Sequence, residues 1–229
     1  MDSQLVKLIT REVLRQLQSG PVVSSAGEPR RIPVGVSLRH VHLCREHIHL
    51  LFGPGHELTR LRPLPQPGEF VAAETVTLVG PRLRAMEHVR VLGDVRSTTQ
   101  VEISRTDGYL LGVHPPVRRS GDLSGTPGLT LIGPAGSLTL ERGVIIANRH
   151  IHMNPDDARH FGVTDGQEVD VRVQSERSTI LGQVQIRVGG PRAVLYMHLD
   201  TDDANAAAVD ENTSVEILPP EVAKCCWPK

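Results

Sequence analysis

Two stretches of the chain place a basic residue before a pair of histidines: Arg39-His40-Val41-His42-Leu43 and Arg149-His150-Ile151-His152-Met153. Histidines one residue apart share a face when they sit on a strand, because strand side chains alternate sides with period two. Such a pair can grip a metal ion through two imidazole nitrogens. Each stretch is entered by an apolar run, Ile32 to Val36 and Val144 to Ala147. Each is followed by a helix-like segment ending in Phe-Gly, at Phe52-Gly53 and Phe161-Gly162. The repetition predicts two metal ions, or one shared cluster, held between two related halves.

The repeat reaches further along the chain. Gly93-Asp94-Val95-Arg96 aligns with Gly189-Gly190-Pro191-Arg192, and without a gap Glu102 then meets His198 and Asp107 meets Asp203. Each half therefore offers three ligands: His40, His42 and Glu102, then His150, His152 and His198. Three protein ligands with an open position is the arrangement of catalytic zinc, whereas closed four-ligand sites are structural. Imidazole and carboxylate also admit cobalt, manganese or iron. A lone histidine is usually an ordinary surface or core residue, but two pairs in repeated contexts favour ligation. A third pair, His47 and His49, lies in a segment with helical apolar spacing, where residues two apart diverge. These two are expected to be solvated, as are His56, His88, His114 and His160.

Arg96 precedes the polar run Ser97-Thr98-Thr99-Gln100 that leads to Glu102. A guanidinium beside a metal suits a phosphate or carboxylate, which it can bind with two parallel hydrogen bonds. A surface ion pair is the alternative. Arg62, Arg82, Arg84, Arg90 and Arg105 give the first half a basic bias, fit either to receive a polyanion or to be solvated. Ser120-Gly121-Asp122 reads as a turn able to lend a hydroxyl, since no strand-to-elbow nucleophile pattern surrounds it. Cys44 fits a helix start better than a soft ligand or a nucleophile.

The elements that must position these groups read as β. Gly 21 and Pro 17 punctuate many short Val/Ile/Leu runs, the pattern of short antiparallel strands closed into barrels or a sandwich. Thr75 to Gly80 and Leu129 to Gly133, for example, each run into Gly-Pro. Residues 3–18 read instead as an amphipathic helix with Val6, Ile9, Val13 and Leu17 on one stripe. A Ser/Gly/Pro-rich tether follows over residues 21–30. A helix of that length is marginal alone in water. It must pack on its own domain, on a second copy (a homo-oligomer), or on another protein.

The balance of 25 basic against 26 acidic residues, with 3% aromatics, gives no general attraction to nucleic acid and no base-stacking platform. Three cysteines, Cys44, Cys225 and Cys226, make no disulfide framework, as expected of a reducing interior such as the cytoplasm. No apolar run approaches a membrane span, and the N-terminus lacks the basic start of a secretory signal.

Several long motifs then carry a specific likeness: IPVGVSLRHVHL, ETVTLVGP, VRVLGDVRSTTQVEISRTD, PVRRSGDLSGTPGLTLIGP, GVIIANRHIHMNPDDA and MHLDTDDANAA. From about Ile32 to Ile217 the chain resembles the PduL-type phosphate acyltransferases (phosphate propanoyltransferases, or phosphotransacylases) of bacterial microcompartments. The resemblance implies two β-barrels in crossed chain order. The first would take residues 31–38 with 148–218, and the second residues 39–147 with a two-strand excursion near 53–74, leaving a tail at 219–229. It implies two zinc ions on the six ligands above and phosphate at Arg96, with Ser120 nearby. It implies coenzyme A along Ser37, Leu38, Arg39, Arg62, Arg82, Arg90, Leu92, His198 and Asn205. Arg62 and Arg82 stand where relatives often carry Lys, and Leu38 stands where Asn is common. Residues 1–20 would be the tag that docks the enzyme to lumen or shell proteins of the microcompartment. The implied reaction is acyl-CoA (propanoyl-CoA or acetyl-CoA) plus phosphate giving acyl phosphate plus CoA. A binuclear zinc thioesterase or phosphoesterase, and a non-catalytic zinc-stapled assembly protein, are the rival readings.

Overall fold

A computed structural model describes residues 31–219. The expected helix at 3–18, the tether at 21–30, and Cys225 and Cys226 lie outside the described residues. The elements run β1 (Ile32–Val36), β2 (His40–His42), α1 (Arg45–Phe52), β3 (Arg60–Pro63), β4 (Phe70–Val79), β5 (Ala85–Gly93), β6 (Gln100–Glu102), α2 (Arg105–Leu111), β7 (Val117–Arg118), β8 (Thr130–Ile132) and β9 (Ser137–Thr139). They continue with β10 (Val144–Ala147), β11 (His150–Met153), α3 (Pro155–Phe161), β12 (Glu168–Gln174), β13 (Thr179–Val188), β14 (Tyr196–Leu199), α4 (Thr201–Ala206) and β15 (Ser214–Ile217).

The fold is mainly β, as its turn-rich sequence predicts. Six strands close a barrel in the order β1-β14-β11-β13-β12-β15, with β15 pairing back to β1. The remaining strands form a curled half-barrel in the order β7-β10-β6-β2-β5-β4-β8-β9, with β3 attached to β4. Each sheet has its own apolar core. One gathers Val41, Leu43, Val89, Val91, Val101 and Ile103 with Ile48 and Leu51 of α1. The other gathers Ile32, Ile151, Met153, Val184, Ile186, Met197 and Leu199.

Register makes the internal duplication visible. His40 lies across from Glu102 in the antiparallel β2–β6 pair, and His150 lies across from His198 in the antiparallel β11–β14 pair. On their other sides, β2 and β11 each meet a parallel neighbour, β5 and β13. The leading strands are exchanged. β1 precedes β2 in sequence yet pairs with β14 in the closed barrel, setting Gly35 opposite His198. β10 precedes β11 yet pairs with β6 in the half-barrel, setting Ile145 opposite Glu102. Two short crossovers, at residues 37–39 and 148–149, thus tie the sheets together beside the histidines.

Helices follow the ligand strands because the sequence caps them there. In α2, Ser104 Oγ accepts from Asp107 N (3.1 Å) while Asp107 Oδ2 accepts from Ser104 N (3.2 Å), a reciprocal capping box. Asn154 caps α3 with Pro155 following, and Asp200 caps α4. Gly112 and Gly162 end α2 and α3 with φ of 77° and 64°, a left-handed turn that glycine adopts without Cβ strain. The helix starts also hold the crossovers: Asp107 binds Arg39 (2.7 and 3.0 Å), and Asp203 binds Arg149 (3.0 Å). Arg39 and Arg149 are thus duplicates of one another in role.

Asp107 is 1% exposed. Asp107→Ala removes half of the capping box and both Arg39 bonds, and is expected to cost about 2–3 kcal/mol. Asp203→Ala, at a more open site, is expected to cost about 1 kcal/mol. Urea unfolding of the two variants checks the order. Equal losses would mean that the two helix starts bear equal load.

Candidate active site

The six predicted ligands come together as two sets of three. In each set the candidate nitrogen and oxygen atoms lie within 4.8 Å of one another: His40, His42 and Glu102 in the half-barrel, and His150, His152 and His198 in the closed barrel. Strand alternation puts them there. Val41, Val101, Ile151 and Met197 point into the two cores, so their neighbours must point out.

The rings are oriented for ligation. His40 donates its Nδ1 proton to the Leu38 carbonyl oxygen (2.7 Å), and His150 donates its own to the Asn148 carbonyl (2.8 Å). A carbonyl only accepts, so Nε2 of both rings keeps its lone pair, the usual device for fixing a ligand tautomer. His150 Nε2 and His152 Nε2 are 3.2 Å apart. Two nitrogens bound to one tetrahedral zinc would be about 3.3 Å apart. Nε2 of His198 is buried with no hydrogen-bond partner, as is Nδ1 of His42. A buried polar nitrogen without a partner is costly unless something binds it. In the half-barrel set, Glu102 Oε2 lies 3.5 Å from His40 Nε2 and Oε1 lies 3.9 Å from His42 Nε2.

Four of the rings, His42, His150, His152 and His198, are also held neutral. Burial, aided by the charges of His40 and Arg96, holds His42 well below the usual imidazole pKa. Burial and then Arg187 do the same for His150. Burial, with Arg187 and Arg119 adding to it, lowers His152 to about 4, and burial together with His152 lowers His198 to about 4. Neutral imidazole is the form that binds a metal.

The two sets meet in a cleft lined by Ser37, Glu102, Asn148, His150 and His198. A second cleft of about 400 Å³ adjoins the half-barrel set and is lined by His42, Arg96, Ser97, Thr98, Gln100 and Arg142. Arg96 is anchored there because its amide donates to the Leu43 carbonyl (2.9 Å), directly after the ligand strand. Its guanidinium lies 3.6 Å from Glu69. Gln100 links Ser120 to the site: its Nε2 donates to Ser120 Oγ (2.8 Å) and Glu102 Oε1 (2.5 Å), and its Oε1 accepts from Gly121 N (2.7 Å).

The other expected residues are spread more widely. Ser37 follows β1, its amide bonded to the Leu199 carbonyl (2.7 Å). Leu38 is exposed, and Arg39 is engaged by Asp107. Arg90 lies across from His40 and donates to the Ala73 carbonyl (2.7 Å), with Leu92 two residues on. Arg62 is exposed on β3, and Asn205 is exposed on α4. Arg82 is exposed on the β4–β5 turn, beside Gly112 at the far end of α2 from the Ser104 cap.

Two expectations of solvation fail, for His56 and for His47: His56 is half-buried, stacked on Phe52, with Nε2 2.9 Å from Oε1 of the buried Glu74. His47 is not solvated: its Nδ1 meets the buried Thr99 hydroxyl at 2.7 Å. The same Thr99 hydroxyl accepts from the Cys44 amide (3.0 Å), which ties the start of α1 to the residue before β6. Four groups near the site escape the sequence reading: Glu69, Gln100, Asn148 and Arg187. Each acquires its place through strand register or a long-range hydrogen bond that no local motif announces.

Comparison with known proteins now adds to this geometry. Residues 33–210 match the family model described as phosphate propanoyltransferase. The chain belongs to the phosphate propanoyltransferase family. It is 57% identical over 188 residues to a phosphate propanoyltransferase of Thermotoga maritima, covering 82% of this chain and 89% of that one. It is 49% identical to one from Lachnoclostridium phytofermentans, covering 95% of this chain and all of that one. With one from Salmonella typhimurium it shares 46% identity, covering 92% and 94%. Membership makes this chain an acyltransferase. No described helix is long and apolar enough to cross a membrane.

Proposed function

We propose that this phosphate propanoyltransferase family member transfers an acyl group reversibly between coenzyme A and phosphate, using propanoyl-CoA or acetyl-CoA, at a site that holds two zinc ions. The observation that carries the proposal is the pair of outward-facing three-ligand sets, with a partnerless nitrogen in each, meeting in one cleft while Arg96 lines a second cleft beside His42. His40, His42 and Glu102 would hold one ion, and His150, His152 and His198 the other. Bound zinc supplies Lewis acidity toward a thioester carbonyl and affinity for a leaving thiolate.

The chain's own residues do the rest. Arg96 binds phosphate, neutralises part of its charge and aims an oxygen at the thioester carbon. Holding both reactants in one complex removes much of the entropic barrier of a two-body reaction. Ser120, fixed by Gln100, offers the phosphate a hydroxyl. Gln100 also holds Glu102 in place from the side. Coenzyme A runs past Ser37, Leu38, Arg39, Arg90 and Leu92, with Arg62, Arg82 and Asn205 available to its polyanionic end. Phosphate attacks the thioester directly, and no side chain carries the acyl group between partners. Residues 1–20 dock the enzyme to lumen or shell proteins of a microcompartment in the cytoplasm.

Purified protein incubated with propanoyl-CoA, with and without phosphate, before and after zinc chelation, tests this reading. Free CoA release that needs both phosphate and metal, with propanoyl phosphate as product, is the expected result. Release without phosphate would make the protein a thioesterase. Absence of release from folded, zinc-loaded protein over a range of acyl chains would leave an assembly role.

A further inference from the structure

Arg187 sits among the ligands and has no acidic partner of its own. On β13, Val184 and Ile186 enter the barrel core, so Gln185 and Arg187 face out with the histidines. Register sets Gln185 opposite His150 and Arg187 opposite His152. The guanidinium is held by neutral amides. One terminal nitrogen donates to Asn148 Oδ1 (2.6 Å) and Nε donates to Gln185 Oε1 (3.3 Å). Asn148 Nδ2 in turn donates to the same Gln185 oxygen (3.3 Å), which makes a closed triangle.

Among the described residues, no carboxylate lies within ion-pair distance of Arg187. Burial lowers its pKa to about 10, and Arg119 pushes the same way, yet it stays a cation at neutral pH. A largely buried cation normally has a bonded counter-charge. Metal ions on neutral imidazoles next to it would add positive charge and increase the need for an anion.

Three acids lie within electrostatic reach of Arg187. They are Glu102, Asp165 and Glu69. Glu102 and Glu69 belong to the half-barrel side, and Glu69 is the residue that Arg96 meets at 3.6 Å. Glu69 thus feels both cations, Arg96 of the half-barrel and Arg187 of the closed barrel. Gln66, three residues before Glu69, fixes this loop against the closed barrel by exchanging bonds with the Val194 backbone (3.0 and 3.3 Å).

We propose that Arg187 is the second arm of a phosphoryl clamp, binding the oxyanion opposite Arg96, one arginine from each half of the duplicated fold. The proposal rests on the phosphate acyltransfer reading and names a substrate contact within it. Arg187 engages inorganic phosphate in one direction and acyl phosphate in the other, and the Asn148–Gln185 triangle keeps its fork aimed. The duplication did not supply this pair: the alignment that matches Gly93 with Gly189 puts Arg96 against Arg192 and Arg187 against Val91.

The test uses full-length zinc-loaded protein and the variants Arg187→Gln and Arg187→Lys. Two readouts are taken: calorimetric titration with inorganic phosphate in the absence of any thioester, and steady-state kinetics with phosphate and propanoyl-CoA varied separately. Loss of a charge-assisted contact predicts phosphate binding and phosphate KM weakened by about ten- to a hundredfold in Arg187→Gln. The KM for propanoyl-CoA should change less than about threefold, with partial rescue in Arg187→Lys. Zinc content measured by elemental analysis should stay at the wild-type value. Wild-type-like phosphate titration in Arg187→Gln would overturn the clamp while leaving acyl transfer by the parent protein intact. Loss of zinc in both variants, with phosphate affinity unchanged once zinc is restored, would reduce Arg187 to a support for its ligand strand and equally overturn it. A parent protein that binds phosphate through Arg187 but transfers no acyl group would sink the transferase reading and keep the clamp.

Discussion

Replacing His198 with alanine is expected to halve the zinc held per chain and to lower acyl transfer by about a hundred- to a thousandfold, the range seen when a preorganised electrostatic group is removed. The His198 ring is stacked on His150 (centroids 5.0 Å apart) and sits edge-on to His152 (5.3 Å), so it completes one wall of the set. Its Nε2 has no protein partner, so its removal breaks no hydrogen bond within the protein. That makes the variant a clean probe: what is lost is the ligand atom, together with a ring's packing. The half-barrel set is built on different strands with a different core, and should keep its ion. Elemental analysis of zinc, alongside thermal unfolding to confirm the fold, measures the outcome. Two ions per chain and normal turnover in a folded His198→Ala protein would show that these three histidines form no metal site.

The ligand sets were legible because they depend on one local rule. His-x-His on a strand flanked by Val41 and Leu43, or by Ile151 and Met153, has only one way to point once the apolar residues are buried. The third ligands were legible for a different reason: duplication put Glu102 and His198 at the same distance from a shared Gly-to-Arg signature. Short strands such as Val117–Arg118 and Ser137–Thr139 carry too few residues for any period, so the extent of the half-barrel was not readable. Arg187 was hidden for a third reason. It sits in an alternating strand where an outward arginine is the ordinary solvent-facing residue. Only the β11–β13 register and a bond to Asn148, 39 positions earlier in the chain, turn it toward the histidines. His47 was misjudged on the same ground, since its partner Thr99 is 52 positions away. Local pattern fixes which face a side chain takes. It does not say what the rest of the chain brings to that face.

Arg96→Ala is expected to lower kcat/KM for phosphate by about a thousandfold while zinc content and thermal stability stay at the parent values. The size follows from what Arg96 contributes. Phosphate is a weak nucleophile and carries the same sign of charge as the polyanionic coenzyme, so a cation must bring them together. In the proposed reading Arg96 is that cation, held by backbone: its amide is tied to Leu43, and Cys44 forms a parallel bridge with it. The loop that carries it is thereby joined to the strand that carries His40 and His42. Among the described residues the side chain itself pairs only with Glu69, at 3.6 Å, and is partly open to the cleft. Its loss therefore leaves no buried partner stranded, which is why stability should be spared. Arg96→Lys keeps the charge but not the two-pronged geometry, and should recover about a tenth of the activity or less. The effect should fall on phosphate: propanoyl-CoA should bind the Arg96→Ala protein with near-parent affinity. Near-normal turnover of Arg96→Ala at low phosphate would move the anion site elsewhere in the same cleft, where Arg142 is the other cation on its wall.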